Sequence, residues 1–174
     1  MIAVIPVKWS SRLPGKHMLP LRGRPIVEIV YRKVSDLMDC VVLSKYEVSV
    51  PYEKDRSENI LDLVSRLMEE YSDGFMLIGG GDMPFFLRED IATILRAGQA
   101  QGASPTTPVG PEPMFTLYRP CALKVRRLSD YIVGCRYRQV SASSLSPLAL
   151  FNVNTPEDYL RARAISSERP DLIL

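Results

Sequence analysis

The chain has 174 residues, 46% of them hydrophobic and 24% charged, with a formal net charge of +2. That is the length of one ordinary domain, able to bury roughly 70% of the surface its unfolded chain exposes, and its composition argues against disorder. No apolar run reaches the ~18 residues of a membrane span. The apolar start Met1–Val7 is cut short of a secretory signal by Pro6 and Lys8, so one soluble, cytoplasmic domain over residues 1–174 is expected.

Ile2–Val7 is a continuous apolar run with β-branched residues, the pattern of a strand buried on both faces. A basic stretch follows. Pro25 suits the first turn of a helix carried on by Ile26, Ile29, Val30 and Val34. Cys40–Leu43 reads as a second buried strand. Apolar residues at 60, 61, 64, 67 and 68 predict an amphipathic helix over Glu58–Tyr71. Phe75–Ile78 is a third buried strand, ended by Gly79-Gly80-Gly81, and Arg88–Ala97 a further helix closed by Gly98. Five prolines make Pro105–Pro120 a loop leading into a strand at Met114–Tyr118. Asn152 and Asn154 alternate in a short strand, Thr155 caps a helix with Pro156 in its first turn, and residues 166–174 form a tail. Strands alternating with helices predict an α/β fold, layered about a mostly parallel sheet.

The side-chain inventory narrows the chemistry. Cys40, Cys121 and Cys135 are odd in number and widely spaced, so free, mostly buried thiols are expected rather than a disulfide or a zinc site. The single His17 removes most histidine-based catalysis. Asp, Glu, Lys, Arg and backbone amides remain. Residues 1–34 carry seven Lys and Arg against one acid, Glu28, and five of those bases (Lys8, Arg12, Lys16, Arg22, Arg24) lie without an acid among them. A short basic loop on a near-neutral domain suits a compact polyphosphate; a nucleic-acid footprint would be broad and interleaved with aromatics.

Ligands of open parallel sheets bind beyond the carboxyl ends of the strands, and three segments fall there. The loop Pro6-Val7-Lys8-Trp9-Ser10-Ser11-Arg12-Leu13-Pro14-Gly15-Lys16 offers bases and backbone N–H groups to phosphate oxygens, although it is neither a Walker A loop nor a GxGxxG fingerprint. Gly81-Asp82-Met83-Pro84 places a carboxylate at a strand tip, fit for a hard cation such as Mg²⁺ beside substrate phosphates. Asn152 and Asn154 could ligate that cation, hold its waters or orient phosphate.

Together these segments resemble the molybdenum cofactor guanylyltransferase family of the nucleotidyltransferase superfamily, over nearly the whole chain. Arg12–Lys16 is similar to the family's Arg-Met-Gly and lysine, and Gly23–Ile26 to the Gly-Lys-Pro-Leu that follows. Gly81–Pro84 matches its Gly-Asp-Met-Pro, Pro111–Tyr118 its Pro-Glu-Pro-Leu…Leu-Tyr, and Phe151–Asp158 its Asn-x-Asn-Thr-Pro-Glu. Two departures bear on the base: Pro6 and Val7 replace the paired glycines after the first strand, as in cytidylyltransferases of acidic sugars, and Arg56–Asn59 replaces a Gly-Pro-Leu stretch.

The resemblance implies a three-layer, Rossmann-like nucleotide-diphospho-sugar transferase fold. It also implies transfer of GMP from GTP to the phosphate of molybdopterin, with release of pyrophosphate. Lys16, Arg12 and Asp82 take the catalytic positions. Pro6, Val7, Lys8, Ser10, Ser11, Arg12, Gly15, Lys16 and Gly81 hold the nucleotide, and Asp82 with Asn154 and Asn152 holds Mg²⁺. Acceptor contacts are expected from residues 105–118 and the segment after them. The alternatives are another phosphorylated acceptor such as cobinamide phosphate, a CTP-dependent acidic-sugar cytidylyltransferase, or a nucleotide-binding protein without turnover.

Overall fold

In the computed structural model, which describes residues 1–173, the elements run β1 (Ile2–Val7), β2 (Pro20–Leu21), β3 (Arg24–Pro25), α1 (Ile26–Ser35), β4 (Cys40–Ser44), β5 (Glu53–Lys54) and α2 (Ile60–Glu70). They continue with β6 (Phe75–Ile78), α3 (Arg88–Ala97), β7 (Ala103–Thr107), β8 (Gly110–Pro111), β9 (Phe115–Tyr118), α4 (Leu128–Gly134), β10 (Arg138–Ser141) and α5 (Pro156–Glu168). One sheet takes the order β10-β7-β9-β6-β1-β4-β5, with β8 paired to β7; β2 and β3 form a separate hairpin. The β10–β7, β6–β1, β1–β4 and β4–β5 pairs are parallel, while β9 runs antiparallel to β6 and β7. This is the layered α/β architecture the alternating pattern predicts, with the three layers the family resemblance implies.

The layering follows from the pleat. Ala3, Ile5 and Val7 of β1 point into one core with Ile26, Val30, Ile91, Ile94 and Ala162 of α1, α3 and α5. Val4 points the other way, against Leu63, Val64 and Leu67 of α2 and Leu128 and Ile132 of α4. A strand covered on both faces has no need of polar alternation, so its residues read as one apolar run.

Five expectations change. The prolines at 105 and 111 lie in strands: Pro105 falls where β7 leaves its one contact with β9, at Ala103, and takes up β8 at Thr106. Phe151–Thr155 forms no strand. The chain end is no loose tail. Helix α5 runs to Glu168, a 3₁₀ turn spans Pro170–Leu172, and Leu172 and Ile173 are buried; Leu174 lies outside the described residues. The buried Lys33 of α1 ties that end down, donating to the carbonyls of Leu172, Pro84 and Phe86. Helix α4 and strand β10 arise in a stretch whose sequence has no clear apolar face. Cys121 and Cys135 are joined by a disulfide, their Cα atoms 6.2 Å apart, while Cys40 is free. Cys135 caps α4 and Cys121 follows β9, so the return of α4 onto the sheet brings together two thiols whose spacing carries no motif.

Candidate active site at the carboxyl edge of the sheet

Backbone hydrogen bonds assemble the site first. Gly80 N–H donates to Pro6 O at 3.2 Å and Gly79 N–H to Met114 O at 2.8 Å, so the ends of β1 and β6 and the start of β9 share one edge. The glycines permit this closeness: a Cβ on Gly79 would lie 2.6 Å from Asp82 Oδ1, and one on Gly80 would collide with the Ile5 side chain. Asp82 O accepts from Val153 N–H at 2.8 Å. That bond brings the 151–154 segment alongside, 71 positions away in sequence.

The side chains then converge. Lys16 opens a 3₁₀ turn after Gly15, whose φ of 67° is left-handed. Its Nζ donates to Asp82 Oδ2 at 2.9 Å and to Asn154 Oδ1 at 2.7 Å. The Lys16 side chain is 9% exposed and that of Asp82 23%. Asn154 is positioned by α5, where Thr155 and Asp158 form a reciprocal cap and Asp158 also accepts from Asn154 N–H at 3.1 Å. Asp158 is held below the usual carboxylate range chiefly by that bond.

A cavity of about 270 Å³ opens over this cluster, lined by Pro6, Lys8, Ser10, Arg12, Lys16, Gly81, Asp82 and Asn154 among the residues singled out in the sequence. Four others do not line it. Val7 is buried in the core, Ser11 faces solvent and Gly15 serves the turn. Asn152 turns its Nδ2 to Leu150 O at 3.4 Å, because without a strand the two asparagines need not share a face. Met114, from the stretch expected to meet the acceptor, also lines the cavity, and Trp9 and Ile60 do so unanticipated.

Beside it lies a second polar cluster that sequence reasoning missed. Asp55, its side chain fully buried, accepts from Lys8 Nζ, from Ser57 Oγ and from Ser57 N–H at 2.8 Å; Lys8 also donates to Ser57 Oγ at 3.0 Å. Burial alone would raise the Asp55 carboxyl, but these bonds outweigh it and hold it low. The carboxylate therefore stays charged and fixes the Lys8 stem. No sequence signal marked Asp55, since its partner lies 47 positions away. His17, buried beneath Gly81, is pushed below its ordinary value by burial and then by Lys16, so it is neutral at pH 7 and adds no charge. Glu112 of the Pro-Glu-Pro stretch accepts from Met114 N–H at 3.0 Å, and Tyr118 Oη donates to Pro113 O at 3.0 Å.

The donor set fits a divalent cation. Asp82 and Asn154 already hold one cation, the Lys16 ammonium, between two oxygens. Among the described residues no cluster of three or more His, Cys, Asp or Glu side chains that could hold a metal ion forms. Arg12, Lys8 and Lys16 supply positive charge around it. The arrangement can bind a polyphosphate and stabilise charge that develops on it.

The sheet order and layers are those of the nucleotide-diphospho-sugar transferase fold, with a basic cavity at the carboxyl edge of the sheet. Within that fold, the chain is similar along its length to the molybdenum cofactor guanylyltransferases. It is 28% identical to a probable molybdenum cofactor guanylyltransferase of Natranaerobius thermophilus, over 92% of this chain and 94% of that protein. It is 27% identical to the 3-deoxy-manno-octulosonate cytidylyltransferase of Parabacteroides distasonis, over 53% of this chain and 43% of that protein. In structure it overlays the molybdopterin-guanine dinucleotide biosynthesis protein A of Archaeoglobus fulgidus with a TM-score of 0.73, at 19% identity and covering 97% and 100% of the two chains. No family model matches the chain. Among the described residues no helix is long and apolar enough to cross a membrane.

Proposed function

We propose that the protein transfers GMP from GTP, as the Mg²⁺ complex, to the phosphate of molybdopterin and releases pyrophosphate. The observation that carries this reading is the Lys16–Asp82–Asn154 cluster: three motif residues far apart in sequence meet at the mouth of one basic cavity. An acceptor phosphate oxygen attacks the α-phosphorus in line, forming the new P–O bond as the bond to pyrophosphate breaks. The protein's part is positioning and charge. Arg12 and Lys16 hold the triphosphate and stabilise negative charge on the departing pyrophosphate. Asp82 and Asn154 would hold the cation, which supplies charge neutralisation at the α-phosphate. The Pro111–Tyr118 segment, on the opposite flank from Lys8, would face the acceptor.

Two observations favour a second reading. The Pro6-Val7 opening and the match to a 3-deoxy-manno-octulosonate cytidylyltransferase over 53% of the chain would suit CTP and an acidic sugar. The test is pyrophosphate release from each of the four triphosphates with Mg²⁺, with and without molybdopterin. GTP with molybdopterin should give turnover. CTP preferred at least tenfold over GTP would replace the reading, and silence with all four would overturn turnover altogether.

A further inference from the structure

The indole of Trp9 is 59% exposed, a poor place for so large an apolar surface unless something covers it. Side-chain bonds hold its neighbours on both sides. Lys8 is held by Asp55 and Ser57, and Ser10 Oγ accepts from Leu13 N–H at 3.3 Å. The ring lies outside the core and meets Tyr46, with centroids 5.6 Å apart and planes at 48°. Tyr46, 40% exposed, is fixed in turn at the end of β4. Ser44 Oγ accepts from Tyr46 N–H at 3.1 Å and donates to Tyr46 O at 2.7 Å. Two aromatic side chains from loops that follow adjacent parallel strands thus stand together. One of them, Trp9, lines the cavity that contains Arg12, Lys16 and Asp82.

We propose that Trp9, backed by Tyr46, is the stacking platform for the nucleobase of the triphosphate, and that its broad π-surface makes the site select a purine over a pyrimidine. The inference rests on the nucleotidyltransferase reading and assigns the base-selecting group within it. The side chains assigned to phosphate and cation come from the segments that follow β1 and β6 and from Asn154 before α5. Trp9 and Tyr46 lie on the β4 flank of that centre, and residues 111–118 on the β9 flank. Nucleoside and acceptor cannot share one flank of so small a cavity, which leaves the aromatic flank to the base. The buried Asp55 cannot do the selecting, because its oxygens are already engaged by Lys8 and Ser57. Stacking tolerates any base but strengthens with ring area, so it yields a graded preference for purines.

Trp9 is the chain's single tryptophan, so its fluorescence reports on the platform directly. The full chain is titrated with GTP, CTP and neopterin, each with Mg²⁺, while pyrophosphate release from each of the four triphosphates is followed in parallel with molybdopterin present. GTP should quench the emission at the concentrations that support turnover, and CTP should do so more weakly. Trp9→Ala should raise KM for GTP roughly ten- to hundredfold and bring the GTP-to-CTP ratio of kcat/KM towards one. Trp9→Phe should recover part of both. Unchanged emission at GTP concentrations that saturate pyrophosphate release would overturn the platform and leave the function standing. Quenching by neopterin and not by GTP would overturn the assignment to the base, since the ring would then belong to the acceptor. Pyrophosphate release from none of the four triphosphates would instead overturn the underlying function. Should Trp9→Ala fail to fold, the wild-type titration and Trp9→Phe still decide.

Discussion

Replacing Lys16 by Met keeps the aliphatic stem and deletes the charge, which separates packing from electrostatics at the centre of the site. The ammonium makes two charge-assisted hydrogen bonds, to Asp82 at 2.9 Å and Asn154 at 2.7 Å, and its side chain is 9% exposed. Each such bond contributes about 1.5–3 kcal/mol. Asp82 is 23% exposed and regains water when its partner is lost, so the net loss of stability should be about 1–3 kcal/mol and the fold should survive. Catalysis should suffer more. Loss of one electrostatic contact to the departing pyrophosphate costs on the order of 10²–10³ in rate, or about 3–4 kcal/mol of barrier. Metal binding should move the opposite way, because the ammonium competes with a divalent cation for the same two oxygens. Removing a unit charge within a few ångströms should tighten Mn²⁺ or Mg²⁺ binding by the nucleotide-free protein about tenfold or more. Pyrophosphate release at saturating GTP and calorimetric titration with the metal alone give the two readouts. Turnover and triphosphate affinity both within twofold of wild type would refute the role given to Lys16.

Gly79→Ala places a methyl 2.6 Å from Asp82 Oδ1; the carboxylate must shift, and metal affinity and pyrophosphate release should both fall at least tenfold while thermal stability changes little. Cys121 and Cys135 close a loop with a sequence separation of 14, so loop-closure entropy predicts that reduction or Cys135→Ser lowers stability by about 3 kcal/mol in urea unfolding, with an unchanged midpoint arguing against the bond. Lys33 is driven by burial from its ordinary 10.5 down to about 8, against the pull of Asp90 and Asp171. The unfolded chain therefore binds the extra proton between pH 8 and 10.5, and stability should rise with pH across that window by up to about 3 kcal/mol. Cys40, raised by burial, opposes this above pH 9, and Tyr71, Tyr118 and Tyr137, raised by burial, do so above pH 10. Lys33→Met should flatten the rise, and an identical pH slope in the variant would refute it.

The sequence by itself determined what depends on short range. Two-sided apolar runs gave β1, β4 and β6 because a strand buried on both faces needs no polar residue. Threonine, proline and two acids placed the start of α5 because its cap is local. Segments 12–16 and 81–84 could be singled out because a basic loop and a strand-tip carboxylate each lie in adjacent positions, and the structure brings both to one cavity. Tertiary structure decided whatever joins distant parts of the chain. Pro105 is admitted to a strand because β7 changes partner there, and Leu172 and Ile173 enter the core because Lys33 waits for the carbonyl of Leu172. The Val153–Asp82 backbone bond sends Asn154, and not Asn152, to Lys16. The fold of α4 brings Cys121 to Cys135, and the meeting of the β1 and β4 loops sets Trp9 against Tyr46. Most of these are contacts between residues far apart in the chain, and nothing in local composition encodes the other half of the pair.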